Sequence, residues 1–274
     1  LVARAKRHGV RVFLYLNEPR AMPLRFFEDH PELKGTVEGD YAALCTSVPD
    51  VQAYLRNAIA AICRAVPDLG GFFTITMSEN LTNCWSHYAA QTCPRCAARP
   101  GPEVIAEVNR LFAEGISSAG GKQELIVWDW GWPNDWAEST ISHLPAGVGF
   151  MSVSEWDLPI VRGGVASTVG EYSISAVGPG PRATRHWSLA REHGLRTFAK
   201  IQAGATWEMS AVPYVPALRL VAEHARNLRE AGIDGVMLGW TLGGYPSPNL
   251  EVAHDVLKGA PVQQAMLSAA EARY

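Results

Sequence analysis

Carboxylates, amides and tryptophans gather at the ends of short apolar runs in this sequence. Residues 12–16 end at Asn17-Glu18-Pro19-Arg20, and 71–77 at Ser78-Glu79-Asn80. Residues 125–127 end at Trp128-Asp129-Trp130, and 148–153 at Ser154-Glu155-Trp156-Asp157. Residues 197–202 are followed by Thr206-Trp207-Glu208, and 235–239 by Trp240. A carboxyl group can protonate a leaving oxygen or attack a carbon, and a flat indole covers the apolar face of a pyranose. Such an assembly suits cleavage of a glycosidic bond.

Glu79 is the first candidate for the general acid, because it closes the clearest run. Glu208 or Glu155 is the candidate second carboxylate, and a structural ion pair is the competing reading of each. A carboxyl separation of roughly 5–5.5 Å would imply retention of configuration, and a wider one inversion. Glu18 beside Arg20 reads as a positioning or charge-pair site. Asp129 can bind a sugar hydroxyl or orient another acid. Asn80 and the indoles of Trp128, Trp130, Trp156, Trp207 and Trp240 complete a candidate sugar-lined pocket. After Trp240, Gly243 and Gly244 allow close backbone approach, and Tyr245 and Asn249 can hydrogen-bond hydroxyls. Lys200 and Gln202 alternate with apolar neighbours and so share one strand face. A lysine facing inward needs a carboxylate partner or a ligand. A Schiff-base role for it, in a lyase or aldolase, is one rival reading; a non-catalytic carbohydrate-binding barrel is another.

The apolar runs read as strands buried on both faces of a parallel sheet. They fall near 11–17, 41–45, 71–77, 125–129, 148–153, 197–202 and 235–240. Helical stretches lie between them at 51–66, 102–118, 182–193 and 215–231, with Gly194 and Gly232 placed as C-terminal caps. Alternation of strand and helix, with functional groups at strand C-termini, predicts a (β/α)8 TIM barrel. The 274 residues suit one such domain, spanning 1–274. Seven strands and an opening helix predict a fragment that lacks strand one and carries strands two to eight. Residues 158–181, rich in Gly, Ser and Pro, read as one long loop.

The segment from Leu44-Cys45-Thr46-Ser47-Val48-Pro49 to Asn80 resembles glycoside hydrolase family 20, the β-N-acetylhexosaminidases. Val66-Pro67-Asp68 precedes the strand as Phe-Pro-Asp does in that family. Thr76-Met77-Ser78-Glu79 occupies the family's Gly-Gly-Asp-Glu motif, and Trp128-Asp129 resembles its Trp-Asp/Glu. The resemblance implies that Glu79 is the general acid of a glycosidase acting on a carbohydrate. One position departs: Ser78 stands where the family has the aspartate that orients the substrate's acetamido group, and a serine cannot supply that charge.

Cys84, His87, Cys93 and Cys96 follow Glu79 with Cys-x2-His-x5-Cys-x2-Cys spacing. Three thiolates and an imidazole suit a closed, structural zinc site. A Cys93–Cys96 disulfide, or free thiols with His87 in the sugar site, are the alternatives. Cys45 and Cys63 read as plain buried thiols. No catalytic cofactor is implied. Net charge −3 with 19% charged residues gives no sign of a nucleic-acid partner, and no apolar stretch has the length of a membrane span. Compartment is not legible from targeting signals; zinc-binding thiols would favour the cytoplasm.

Overall fold

The computed structural model describes residues 1–204, 207–209, 212, 214–240 and 245–272. The chain divides into two compact units, Leu1–Phe150 with Glu192–Leu195, and Met151–Arg191 with Arg196–Tyr274.

In the first unit, α1 (Val2–Lys6) leads into β1 (Phe13–Leu16), β2 (Met22–Pro23), α2 (Phe26–Asp29), β3 (Lys34–Glu38) and β4 (Tyr41–Leu44). Next come α3 (Pro49–Ala65), β5 (Gly71–Ile75), α4 (Gly101–Ser118), β6 (Glu124–Trp128) and α5 (Ala137–Ser142). Strands β1, β5 and β6 are parallel, with Phe13 beside Gly71 and Gly71 beside Glu124. All three therefore point their C-terminal ends the same way, which brings residues 17, 76–80 and 129–130 to one edge. The stretch at 41–45 is not a strand of this parallel set. It is β4, the centre of an antiparallel sheet ordered β2-β4-β3. Its apolar content matches its burial: Ala42, Ala43 and Leu44 are all buried.

Helix α3 begins on Pro49, whose fixed φ suits a first helical turn. It buries Val51, Leu55, Ile59 and Cys63, an i, i+4 stripe along one face. That stripe meets α4, where Gly115 admits the close approach: a Cβ there would lie 2.6 Å from the Arg56 carbonyl oxygen and 2.8 Å from Ile59 Cβ. Gly120 then ends α4 in a left-handed conformation, with the Gly121 amide returning to Ile116 O.

The second unit holds β7 (Gly149–Val153, which begins at the boundary), β8 (Pro159–Arg162), β9 (Val165–Thr168), α6 (Pro181–Glu192) and β10 (Arg196–Lys200). It continues with α7 (Leu218–Glu230), β11 (Gly235–Met237), α8 (Pro248–Leu257) and α9 (Val262–Glu271). Strands β10 and β11 are parallel, and β7 follows on the other side of β10, where the Ser154 amide donates to Lys200 O at 3.0 Å. Gly194 and Gly232 adopt left-handed φ after α6 and α7, as the caps require. The predicted loop at 158–181 contains the β8–β9 hairpin instead. Gly163 and Gly164 close it with φ of 56° and 81°, the positive pair that a two-residue turn between twisted strands demands. Among the described residues no helix is long and apolar enough to cross a membrane.

Candidate active site

The tips of β1 and β5 are joined by side chains. Asn17, buried just after β1, donates through Nδ2 to Ile75 O at 2.9 Å and to Ser78 Oγ at 2.8 Å. Ser78 Oγ donates back to Asn17 Oδ1 at 3.1 Å and accepts from the Asn80 amide. Ser78 thus locks a turn, and that turn carries Glu79 outward. Glu79 is exposed and borders two clefts. One, of about 270 Å³, is lined also by Arg20, Glu38, Tyr41 and Asn80. The other, of about 340 Å³, is lined by His87, Tyr88 and Trp130. The neighbouring phenol of Tyr15 is pushed up to about 12, first by burial and then by the charge of Glu79.

Glu18 accepts a hydrogen bond from the Arg20 amide at 2.9 Å and stabilises its own turn. Trp128 and Asp129 are fully buried, so neither is open to a substrate as expected; the Asp129 carbonyl accepts from the Trp132 amide at 3.1 Å. Trp130 is the member of that trio that reaches a cleft. His87 does not join the cysteines. Its Nε2–H donates to Ser78 O at 2.7 Å, and its Nδ1 lies 2.6 Å from Glu38 Oε2. The fourth sulfur of the cluster is Cys45: the Sγ atoms of Cys45, Cys84, Cys93 and Cys96 all lie within 4.8 Å of one another. Cys45 is therefore no isolated buried thiol, and all five cysteines are free of disulfides.

In the second unit, Glu155 follows β7 and is fully buried. Its Oε1 accepts from the Ser173 amide at 3.2 Å. The Ser173 hydroxyl donates to Glu208, as does Ser175 Oγ at 2.7 Å, so one short segment serves both carboxylates. Burial pushes Glu155 up to about 7 against the opposing pull of Lys200. Burial pushes Lys200 down to about 7, opposed by Glu155 and Glu171. Lys200 Nζ sits 3.4 Å from the centroid of the Tyr172 ring, a cation–π contact. His224 is buried too, 2.7 Å from Ser154 Oγ, and burial pushes it down to about 4.

The remaining amides are structural. Gln202 Nε2 donates to Trp240 O at 2.7 Å and Gln202 Oε1 accepts from the Trp240 amide. Asn249 is buried with its Nδ2 on Ala203 O and Val215 O and its Oδ1 on the Ala217 amide, so it cannot meet a sugar hydroxyl. Arg182 covers Trp156 at 4.7 Å. Trp207 is half-exposed and donates to Trp240 O at 2.9 Å; Tyr245 is exposed. Thr206, Gly243 and Gly244 lie outside the described residues. Sequence position alone does not single out Asn17, Glu38 or Tyr88. Asn17 stood at the end of an apolar run, but nothing in the spacing ties Glu38 or Tyr88 to Glu79.

The sequence matches no protein-family model and no curated protein. Among solved structures, the chain is similar to a Bacteroidetes-affiliated GH5 cellulase linked with a polysaccharide utilization locus, at 13% identity and TM-score 0.52, covering 98% of this chain and 78% of that one. It is similar also to the hyperthermophilic β-glucosidase of Pyrococcus furiosus, at 10% identity and TM-score 0.53, covering 98% and 70%. A Flavobacterium johnsoniae chitobiase of family GH20 matches at 14% identity and TM-score 0.46, covering 97% and 36%. Two of the solved structures it matches are much longer, and the chain spans 29% and 36% of their lengths. The likenesses to the cellulase and the β-glucosidase are of fold: an α/β architecture with parallel strands.

Proposed function

We propose that this protein is a glycoside hydrolase with a (β/α)8-type scaffold, and that Glu79 is its general acid. The observation that carries the reading is the position of Glu79: exposed in the turn just past the C-terminal end of the parallel strand β5, bordering a cleft with Tyr88 and Trp130. That is where such scaffolds present their chemistry, and the aromatic neighbours suit a sugar ring. The fold likeness to a cellulase and a β-glucosidase supports the class of reaction. The resemblance to family 20 around Glu79, where only the glutamate of Gly-Gly-Asp-Glu is kept, motivates a hexosaminide substrate. Ser78 argues against acetamido assistance, because its hydroxyl is already engaged by Asn17.

The test uses two sets of aryl and alkyl glycosides, one of glucosides and one of N-acetylglucosaminides. Glu79→Gln should reduce kcat by about 10²–10⁴ on alkyl leaving groups, which need a proton. The loss should shrink on acidic phenols, which leave without one. Equal losses on both, or none, would remove Glu79 from the role. Sugar binding without turnover by the unaltered protein would favour a carbohydrate-binding barrel.

A further inference from the structure

We propose that Cys45, Cys84, Cys93 and Cys96 bind one Zn²⁺ as a closed, structural tetrathiolate site. The geometry points to a mononuclear metal. Cys45 Sγ lies 3.7 Å from Cys93 Sγ and 3.6 Å from Cys96 Sγ, and every pair is within 4.8 Å. Zinc–sulfur bonds of about 2.3 Å in a tetrahedron set sulfur–sulfur edges near 3.8 Å. A disulfide would draw two of these atoms to about 2.05 Å.

The surroundings are built for sulfur that carries charge. All four cysteines are buried, which rules out a loose surface cluster. Arg95 Nε donates to Cys45 Sγ at 3.3 Å, and Ser47 Oγ lies 3.3 Å from Cys96 Sγ. Ser47 is itself held by Arg99 Nη1 at 2.8 Å, so two guanidinium groups face the cluster, one directly and one through a hydroxyl. Four thiolates around a divalent cation leave a net charge near −2, and cationic donors of this kind offset it. Cys93 and Cys96 sit on a tight turn, with the Cys96 and Ala97 amides both directed to Cys93 O. Gly35 leaves the room needed: a Cβ there would lie 2.6 Å from Cys84 Sγ.

Four protein ligands leave no position for water, so the ion would hold structure and perform no hydrolysis. What it would hold is specific. Cys45 follows β4, whereas Cys84, Cys93 and Cys96 belong to the segment after β5. The metal would staple that segment to the small antiparallel sheet, and the segment supplies His87 and Tyr88 to the wall beside Glu79.

The experiment is metal analysis and zinc-edge X-ray absorption on the intact protein purified without chelators. About one zinc per chain with four sulfur neighbours near 2.3 Å is expected. His87→Ala should retain the zinc, and Cys45→Ser should lose it. The absorption measurement needs no variant, so a Cys45→Ser protein that fails to fold does not blunt the test. Three sulfurs and one nitrogen would overturn the proposal in favour of His87. Absence of zinc, or iron in its place, would overturn it outright.

Discussion

Glu155 and His224 are buried in the same unit, and burial shifts their proton affinities in opposite directions. Glu155 rises from 4.5 to about 7, and His224 falls from 6.5 to about 4. Between pH 4.5 and 7 the folded protein keeps a Glu155 proton that the unfolded chain has released, so this group's stabilising contribution is lost as pH rises. Between pH 4 and 6.5 the unfolded chain binds a His224 proton that the folded protein excludes, so that contribution is lost as pH falls. Each gap of about 2.5 pH units corresponds to about 3 kcal/mol. The two nearly cancel across their common window, and each should be uncovered by removing the other. Relative to wild type, Glu155→Gln should gain about 3 kcal/mol as pH rises from 4.5 to 7. His224→Gln should gain a similar amount as pH falls from 6.5 to 4. Lys200, lowered from 10.5 to about 7, acts mainly above this window. The assay is urea unfolding at closely spaced pH values, read as variant minus wild type, so that any constant packing loss drops out. A difference curve without slope for either variant would refute the reasoning.

Two further perturbations test the frame that carries Glu79. Asn17→Ala removes the buried amide that joins Ile75 O to Ser78 Oγ across β1 and β5; a loss of about 1–3 kcal/mol in chemical unfolding is expected. Under the function proposed above, the same variant should lower turnover by loosening the Ser78 turn, and unchanged stability would show that the lock is dispensable. Gly115→Ala places a methyl 2.6 Å from the Arg56 carbonyl and should cost about 1–3 kcal/mol by forcing α3 from α4. A thermal midpoint equal to wild type would contradict that packing.

Much of the architecture was legible because its signals are local. Burial on both faces gives an uninterrupted apolar run, as in Gly71–Ile75, and α7, between the parallel strands β10 and β11, carries its own apolar stripe and its own glycine stop at Gly232. The same locality explains the errors. Tyr41–Leu44 is as apolar as a parallel strand, but its partners are β2 and β3, and pairing partners are not written into a strand's composition. The hairpin at 159–168 hid within a Gly- and Ser-rich stretch because both its strands are largely exposed and lack an apolar run.

For the site, residue type set the cast and packing assigned the parts. Amides such as Gln202 and Asn249 look identical in sequence whether they meet a ligand or a carbonyl; the structure turns both toward backbone. Trp128 and Trp130 differ by two positions, yet one is sealed and the other reaches a cleft. From the sequence alone came the parallel α/β character, a glutamate placed just beyond the strand at 71–77, and three cysteines of one cluster. Only the tertiary structure substituted Cys45 for His87. Spacing along a loop reports which ligands can reach one another locally, whereas the last sulfur arrives from a strand that folding packs alongside.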